Sequence, residues 1–370
     1  MMKRYAILGR VFADYSLYEK GAVVVEDNKI VAVGDREHLE LPETLVDVGD
    51  RLVLPGFIDI HVHGYPGGRC HMSAEIFADY HLKRGTTGLL GSLYRTLSHR
   101  ETMDAIELIR GAMGKYKNLI GVHMEGPYIN PGFGSKTQDQ MRPVRKEEYL
   151  EMFETGLIKQ MTVAPEMEGT AELFPAMVKY GIVPALGHSA ASPEDIKRAV
   201  SNGAGIVTHL CDATGCSIEP TSVGGTKEVN FDQAVMMCDN LFYELIVDSK
   251  GVHVRHDMVR FVAKAVGVDH IVAITDRTQG YDDDIGSDLN FVDGELSGSM
   301  LTMDRVCKNL KKVGFSLHDI VRMTSENPAR AIRVFDEMGN IAPGKLANMV
   351  IMDEDFNLYD VYCHGEKVAR

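Results

Sequence analysis

Short apolar segments alternate with amphipathic segments over most of the chain. Between residue 54 and about residue 335, stretches with helical spacing separate the apolar segments: 74–84, 101–113, 172–180 and 193–202 are examples. Eight apolar segments have the length and composition of strands: 57–63, 86–92, 118–124, 160–164, 182–187, 205–209, 241–247 and 270–275. Strands that alternate with helices are typical of a parallel sheet. Eight such units close into a barrel, so the pattern predicts an α/β fold, a (β/α)8 TIM-like barrel.

Both ends of the chain have a different sequence pattern, in which short strand-like segments are separated by turns. These patterns cover 5–8, 21–25 and 29–34 at the start, and 349–352 and 361–363 at the end. The polar turn 26–28 predicts a hairpin between the second and third segments. Because the two ends share this character, we expect them to pair as a small β-sandwich domain. The predicted division is 1–53 plus 341–370 for that domain and 54–340 for the barrel.

Composition and charge narrow the class of partner. The chain has 370 residues, of which 45% are hydrophobic and 25% are charged, as is usual for a soluble globular enzyme. A net charge of -14 argues against nucleic acid or an anionic membrane surface as the main partner. No segment has the pattern of a signal peptide or a membrane span. Six scattered cysteines without a CxxC pair predict reduced thiols and a cytoplasmic protein.

A His-x-His pair lies in the first predicted strand. His61 and His63 belong to segment 56–64, in which apolar and polar residues alternate. A side-chain period of 2 places both imidazoles on one face, just before Gly64. Two imidazoles on one face form half of a metal site. Taken alone, the pair is explained equally well as a solvated strand end.

Further candidates follow the other predicted strands. The catalytic groups of such barrels lie at the carboxyl ends of the strands. Reading those ends gives Glu125 after the third strand, His188 after the fifth, His209 after the sixth and Asp276 after the eighth, with His253 in the loop after the seventh. A single residue of this kind would more simply be explained as a polar group with its hydrogen bonds satisfied than as a metal ligand. Their joint occurrence at equivalent positions predicts a metal site.

Seven segments carry a resemblance to a known family. The chain resembles the amidohydrolase superfamily and, within it, the N-acetylglucosamine-6-phosphate deacetylases, over nearly its whole length. The segments are 55–64, 123–128, 164–166, 187–190, 208–210, 275–276 and 296–303. The Glu-Gly-Pro, Gly-His-Ser and Gly-Ser-x-Leu-Thr-Met stretches among them are typical of the deacetylase branch, whereas His-x-His and the Asp after the eighth strand occur across the superfamily.

The resemblance implies a ligand set and a cofactor. Glu125, His188 and His209 would hold one divalent metal ion. His61 and His63, with Glu125 as a bridge and Asp276 nearby, would hold a second, so one or two ions are expected. Zinc is the leading candidate, and His and carboxylate ligands also suit iron, manganese or cobalt.

The resemblance also implies a reaction. A metal ion brings the pKa of bound water down to roughly 7 and polarises a carbonyl oxygen. Attack of metal-bound hydroxide on an N-acetyl amide would give the amine and acetate. Asp276 is expected to act as general base and then as general acid toward the departing amine. His253 would orient a substrate hydroxyl or the oxyanion.

The chain departs from the family pattern in the predicted substrate loops. Thr137 lies in the stretch where the family has a substrate-contacting His, and Ile218 falls where the family has an Arg that reaches the sugar phosphate across a subunit boundary. Asp212-Ala213 replaces Asn-Ala. Losing a bidentate partner and gaining a carboxylate are both unfavourable for a phosphate dianion. Lys136 and Lys227 are candidates for compensation.

Three functions are compatible with these sequence features. The leading one is deacetylation of a small N-acetylated amino sugar, with N-acetylglucosamine 6-phosphate as the named substrate and a homodimer implied by the resemblance. An alternative is a two-metal amidohydrolase that acts on another N-acyl or cyclic amide lacking the 6-phosphate. A non-catalytic scaffold barrel is the third, and the complete set of ligand residues argues against it.

Overall fold

The computed structural model describes residues 4–134, 142–214, 228–280, 288–292 and 294–369. Its strands, in chain order, are β1 (Arg4–Ala13), β2 (Ser16–Glu26), β3 (Lys29–Asp35), β4 (Leu45–Pro55), β5 (Phe57–Asp59), β6 (Gly64–Tyr65), β7 (Gly68–Arg69), β8 (Thr86–Tyr94), β9 (Leu119–Glu125), β10 (Ile158–Val163), β11 (Val183–Leu186), β12 (Ile206–Val207), β13 (Phe242–Ile246), β14 (Ile271–Ile274), β15 (Leu289–Val292), β16 (Glu295–Ser299), β17 (Met349–Met352), β18 (Leu358–Cys363) and β19 (Glu366–Lys367).

The helices lie mostly between the strands of the middle part. They are α1 (Ala74–Leu82), α2 (His99–Met113), α3 (Lys146–Glu154), α4 (Thr170–Lys179), α5 (Pro193–Ser201), α6 (Phe231–Met236), α7 (His256–Val266), α8 (Met303–Val313), α9 (Leu317–Val321) and α10 (Asn327–Ala331), with a π-helical segment over Arg322–Glu326 between the last two. The four helical segments named from the sequence are confirmed, with ends that differ by a few residues. No helix in the described ranges is both long enough and apolar enough to cross a membrane.

Eight parallel strands form the barrel. They are hydrogen-bonded in the order β5-β8-β9-β10-β11-β12-β13-β14, and each corresponds to one of the predicted strands. The first and last strands are joined just past their ends, where Asp276 N donates to His61 O at 2.9 Å and His63 N donates to Arg277 O at 2.9 Å. The predicted (β/α)8 barrel is confirmed, and these bonds tie the two ends of the strand order together at the carboxyl rim.

The first predicted strand is shorter than expected. The alternating pattern predicted a strand over 57–63, but β5 ends at Asp59. Beyond that point the backbone finds other partners: Val62 N donates to Ser92 Oγ at 2.8 Å, and His61 N to Asp59 Oδ1 at 3.4 Å. His61 and His63 therefore lie in an irregular segment after the strand. Both imidazoles are nevertheless buried.

The two chain ends meet in a separate seven-stranded sheet, in the order β19-β18-β17-β4-β1-β2-β3. The predicted hairpin is confirmed as the antiparallel pair β2–β3. The predicted pairing of the termini is confirmed too, because β17 runs antiparallel to β4 with Val53 opposite Ile351. The exact domain boundaries stay a prediction.

Strand β17 alternates between two cores. Met349 and Ile351 pack with the interior of the terminal sheet, while Val350 and Met352 pack with the barrel core. This period of 2 puts one face of the strand against each body. The terminal sheet is thereby packed against the barrel through apolar side chains.

Helices begin where the sequence offers caps. Ser98 starts α2 and Ser192 starts α5, and each hydroxyl accepts a backbone N–H three residues later while Glu101 or Asp195 accepts the cap's own N–H. Such capping boxes satisfy backbone donors that a helix start leaves without partners. Helix α5 directly follows the loop of His188, so its start is held next to the site.

Candidate active site

Six side chains predicted from the sequence converge at one rim of the barrel. They end or follow β5, β9, β11, β12 and β14, and they are His61, His63, Glu125, His188, His209 and Asp276. Five of them are buried, and the side chain of Asp276 is 13% exposed. The chain thus brings the whole predicted set together. Its action as a ligand set stays a prediction.

One group of donor atoms surrounds Oε1 of Glu125. That oxygen lies 2.7 Å from His188 Nε2 and 3.2 Å from His209 Nε2, and the two Nε2 atoms are 3.1 Å apart. Ligands about 2.1 Å from a tetrahedral metal ion lie about 3.4 Å from one another. The spacing of these three atoms is close to that of a ligand set.

A second group adjoins the first through the other oxygen of Glu125. Oε2 lies 3.3 Å from His63 Nε2, which is 3.3 Å from Asp276 Oδ1. His61 Nε2 lies 3.2 Å from His63 Nε2 and 3.5 Å from Asp276 Oδ1. His63 lies nearest Oε2 of Glu125, whereas His61 Nε2 lies 3.7 Å from Oε1, so both groups adjoin the same carboxylate.

The outer ring nitrogens show which nitrogen faces the centre. Each Nδ1 lies near an oxygen: His61 near Glu244 Oε2 at 2.9 Å, His63 near Ser92 O at 3.1 Å, His188 near Phe133 O at 3.3 Å and His209 near Asp212 O at 3.0 Å. An oxygen acceptor there puts the proton of a neutral ring on Nδ1. Four Nε2 lone pairs then face two carboxylates, an arrangement that needs cations between them. A divalent metal fits this donor set.

The charges of the cluster lead to the same conclusion. Burial alone would lower the pKa of His63 and of His209, but the carboxylates of Glu125 and Asp276 beside His63, and Glu125 beside His209, raise these pKa values to about 9 and about 10. Burial would raise the pKa of Glu125 and of Asp276, yet the neighbouring imidazoles lower both. The site therefore attracts positive charge, which protons supply when no metal does.

Three of the six residues have a strained backbone. His188, His209 and Asp276 have φ values of 47°, 27° and 45°, in the left-handed region that side chains other than glycine rarely adopt. Each follows the end of a barrel strand. Strain of this kind costs on the order of 1–3 kcal/mol and persists where the surroundings hold it, most often at functional sites.

Sequence reasoning missed Glu244, which lies beneath the cluster on β13. This fully buried carboxylate accepts from His61 Nδ1 at 2.9 Å, from Gln160 Nε2 at 2.6 Å and from His209 N at 3.3 Å. The available signal was a single carboxylate inside the apolar segment 241–247. A charge in a buried strand requires partners, and here one of the partners is a predicted ligand.

Asp59 is a second buried carboxylate for which the sequence predicted no role. Its Oδ2 accepts from the Thr275 hydroxyl at 2.6 Å, next to Asp276. Burial raises the pKa of Asp59 to about 7 despite this bond. It joins the first and last barrel strands from the inside.

A cavity of about 280 Å³ adjoins the cluster. Among the predicted substrate contacts, Asp212 and Ala213 lie on its wall. Thr137 and Ile218 lie outside the described residues, as do Lys136 and Lys227. Sequence reasoning did not single out Arg95 or Glu295, which also line this cavity.

His253 is placed one layer behind the cavity wall. Its Nδ1 lies 3.3 Å from Asp248 Oδ2, and its Nε2 lies 3.1 Å from the carbonyl oxygen of Gly298, a wall residue. Burial would lower the pKa of His253, but the hydrogen bond to Asp248 raises it. Both ring nitrogens have protein partners, so the predicted contact with substrate requires that Gly298 give up its bond.

Residues 52–368 match the sequence profile of the Amidohydrolase family. The chain belongs to the amidohydrolase family. The match covers all six clustered residues, and the family predicted from the sequence motifs is confirmed.

Individual relatives cover nearly the whole chain. An N-acetylglucosamine-6-phosphate deacetylase of Haemophilus influenzae is 28% identical over 388 residues, which span 98% of this chain and 99% of that protein. An N-acetylgalactosamine-6-phosphate deacetylase of a Shewanella species is 26% identical over 398 residues, spanning 96% and 94%. The crystal structure of N-acetylglucosamine-6-phosphate deacetylase from Pasteurella multocida has a TM-score of 0.88 at 29% identity and covers 100% of both chains.

Proposed function

We propose that this amidohydrolase removes the N-acetyl group of an amino sugar, with N-acetylglucosamine 6-phosphate as the leading substrate. The observation that carries the proposal is the convergence of four imidazole Nε2 atoms on Glu125 and Asp276 next to a cavity. Relatives that span nearly the whole chain are named as deacetylases of this kind. Their names include two epimeric sugars, glucosamine and galactosamine, so an experiment has to determine which of them this enzyme deacetylates.

The metal-binding residues fall into two groups in this proposal. Glu125, His188 and His209 would hold one divalent ion, and His61, His63 and Asp276, with Glu125 shared, would hold another. A bound ion supplies Lewis acidity toward the acyl oxygen and toward water. We propose zinc for this role, with iron, manganese and cobalt as the other metals that His and carboxylate ligands accept.

Asp276 is the residue to which we assign proton transfer. The imidazoles beside it lower the pKa of its carboxyl, although burial acts in the opposite direction, so the group is ionised near neutral pH. An ionised carboxylate next to the reacting centre takes a proton from the attacking water. The same carboxyl then returns that proton to the amine nitrogen as the carbon–nitrogen bond breaks. Acetate and the free amino sugar are the products.

Supporting residues hold this arrangement before substrate arrives. Glu244 and the Ser92 carbonyl oxygen orient His61 and His63 through their Nδ1 atoms. The Tyr94 ring stacks on His63 with 3.9 Å between ring centroids, which fixes the plane of that imidazole. Groups held this way do not need to reorganise during the reaction.

A substrate panel tests the proposal. The metal-loaded enzyme is supplied with N-acetylglucosamine 6-phosphate, N-acetylgalactosamine 6-phosphate and the two sugars without phosphate, and acetate is measured. We expect release of acetate from at least one phosphorylated sugar. If none of the four is turned over, the deacetylase proposal is wrong.

A second candidate is a two-metal hydrolase for another N-acyl or cyclic amide. The observation in its favour is that Asp212 and Glu295 line the cavity, because carboxylates disfavour a phosphate dianion. Turnover of neutral amides but not of sugar phosphates would support it. A purified chain with well under one equivalent of divalent metal would instead support a scaffold.

We further propose that the protein is a cytoplasmic homodimer. The support for the dimer is the resemblance to the deacetylase branch, and the support for the compartment is the scattered placement of the cysteines without a CxxC pair. Light scattering of the purified protein measures the mass, and a value near twice 40.9 kDa is expected.

A further inference from the structure

The cavity wall carries an uneven distribution of charge. Four of its described residues are carboxylates: Glu125, Asp212, Asp276 and Glu295. Two of these face the imidazoles of the cluster. Among the described residues on the wall, Arg95 alone has a permanent positive charge. A guanidinium stays protonated at any pH the protein meets, so this charge cannot be lost by titration.

The chain holds Arg95 in place from two sides. It follows the last residue of β8 and is 6% exposed. A Cβ added at Gly126 would lie 2.9 Å from Arg95 Cβ, so the loop after Glu125 packs directly on the stem of the side chain. A Cβ at Gly134 would lie 3.3 Å from Arg95 Nη2 and 2.7 Å from His188 Nδ1. The same point beside Gly134 is therefore near both the guanidinium and the outer edge of the His188 ring.

This position separates the cation from the reacting centre. His188 faces Glu125 with Nε2 and the region of Arg95 with Nδ1. A ligand group that contacts the guanidinium on this side is near the Nδ1 edge of His188, whereas Glu125 faces Nε2 of the same ring. An acetyl group at the cluster and an anion at Arg95 have to be different parts of one molecule. That description fits a substituent several bonds away from the amide.

We propose that Arg95 binds an anionic substituent of the substrate and selects a sugar phosphate over the neutral sugar. This inference rests on the proposed deacetylase function and names the residue that sets its specificity. A guanidinium has five N–H donors, so Arg95 can hydrogen-bond a phosphate beside its contacts within the chain, and its charge strengthens such a bond. Asp212 and Glu295 disfavour an anion at their own part of the wall, which leaves Arg95 as the described wall residue that can bind it.

The test compares specificity in three variants. Arg95→Met keeps the length of the stem and removes the charge, Arg95→Lys keeps the charge without the fork, and Arg100→Met removes an arginine whose side chain is 92% exposed. The measured quantity is the ratio of kcat/KM for the phosphorylated sugar to that for the same sugar without phosphate. We expect Arg95→Met to lower this ratio by about 10-fold to 100-fold, in line with loss of charged hydrogen bonds. Arg95→Lys should fall between, and Arg100→Met should match the wild type.

Two outcomes would overturn the inference. Equal losses of kcat/KM on both sugars would mean that Arg95 contacts a part that the sugars share, or that it neutralises a wall carboxylate. An unchanged ratio would mean that the anion binds elsewhere. Thermal unfolding of each variant shows whether it is folded. If Arg95→Met is not folded, the comparison of Arg95→Lys with the wild type still tests the inference.

A binding measurement separates this inference from the deacetylase proposal. Calorimetry with glucosamine 6-phosphate and with glucosamine needs no acetyl group and no turnover. If the wild type releases no acetate but binds the phosphate tenfold or more tightly than Arg95→Met does, the deacetylase proposal fails and the role of Arg95 stands. If wild type and Arg95→Met bind it equally, or if neither binds it, the role of Arg95 is refuted.

Discussion

At the scale of single residues, the outer nitrogen of a histidine decides what its inner nitrogen can do. The four clustered histidines each place Nδ1 against an oxygen, which leaves Nε2 for the centre. His123 is a contrast. Its Nδ1 meets the Ser92 hydroxyl at 2.9 Å and its Nε2 meets the Thr162 hydroxyl at 2.9 Å, so both nitrogens are occupied by protein. His123 is therefore explained as a packing residue, whereas the four clustered histidines are candidate metal ligands.

Glu244 gives the first prediction. In Glu244→Gln an amide group replaces one acceptor, so either His61 or Gln160 loses its acceptor. We expect metal affinity at the His61/His63 group to fall about 10-fold to 100-fold, as is usual when a carboxylate behind a ligating histidine is lost. Metal content after dialysis against increasing chelator, measured by plasma mass spectrometry, checks this. Glu107→Gln, an exposed helix position, is the matched control. Equal metal loss in both variants would contradict the assigned role.

Asp276 gives the second prediction. Asp276→Asn keeps the size of the side chain but removes its ability to accept a proton. We expect kcat to fall by about 100-fold or more, within the usual range for loss of a general acid–base group. The metal ion assigned to Glu125, His188 and His209 should be retained in this variant. Asp257→Asn, where the side chain is 95% exposed, serves as the control. Unchanged turnover would remove Asp276 from the mechanism.

At the scale of elements, a carboxylate ties together loops at the carboxyl ends of three neighbouring strands. Glu166 follows β10 and accepts from Asn130 Nδ2 at 2.8 Å, from the Ser189 hydroxyl at 2.6 Å and from Ala190 N at 2.9 Å. The Asn130 loop follows β9, and Ser189 comes directly after His188. The strained backbone at His188 is therefore held by bonds from outside its own loop.

Glu166→Gln tests this connection and is the third prediction. The amide replaces one acceptor oxygen with a donor, which opposes either Ser189 or the pair Asn130 and Ala190. Because two of these bonds are partly buried, we expect the free energy of unfolding to fall by about 1–2 kcal/mol. Urea denaturation followed by circular dichroism measures it. Glu168→Gln, at an exposed position two residues further on, is the control. An equal fall in both variants would show that Glu166 is not the centre of the connection.

At the scale of the whole molecule, bound metal should contribute to stability. An ion that is present at about 100 times its Kd for the native chain adds about 2.7 kcal/mol to the free energy of unfolding. For a protein of this size, that corresponds to a change in Tm of about 3–4 °C. We expect dialysis against a chelator to lower the Tm by that amount and added zinc to restore it. A chain dialysed without chelator is the control, and an unchanged Tm after confirmed metal loss would contradict the prediction.

The fold and the convergence of the six candidate residues could largely be predicted from the sequence, because both follow from local patterns. The eight apolar segments, and polar residues just after them, are visible along the chain. The end of β5 at Asp59 was not predictable, since it depends on Ser92 and Arg277, which lie far away in sequence. Glu244 was missed for the same reason: its bond to His61 spans 183 positions. Arg95 was missed because only the packing of Gly126 and Gly134 shows where its side chain lies.

The pairing of β17 with β4 has a consequence for how the protein is made. Strand β4 runs directly into the segment of His61 and His63, yet its second neighbour is supplied by residues 349–352. During synthesis, β4 leaves the ribosome almost 300 residues before that neighbour exists. Its free edge is a template for unwanted association until then. A message truncated near its end would therefore yield chains that carry every predicted ligand but expose this edge, and we expect such products to be removed by proteases or to aggregate.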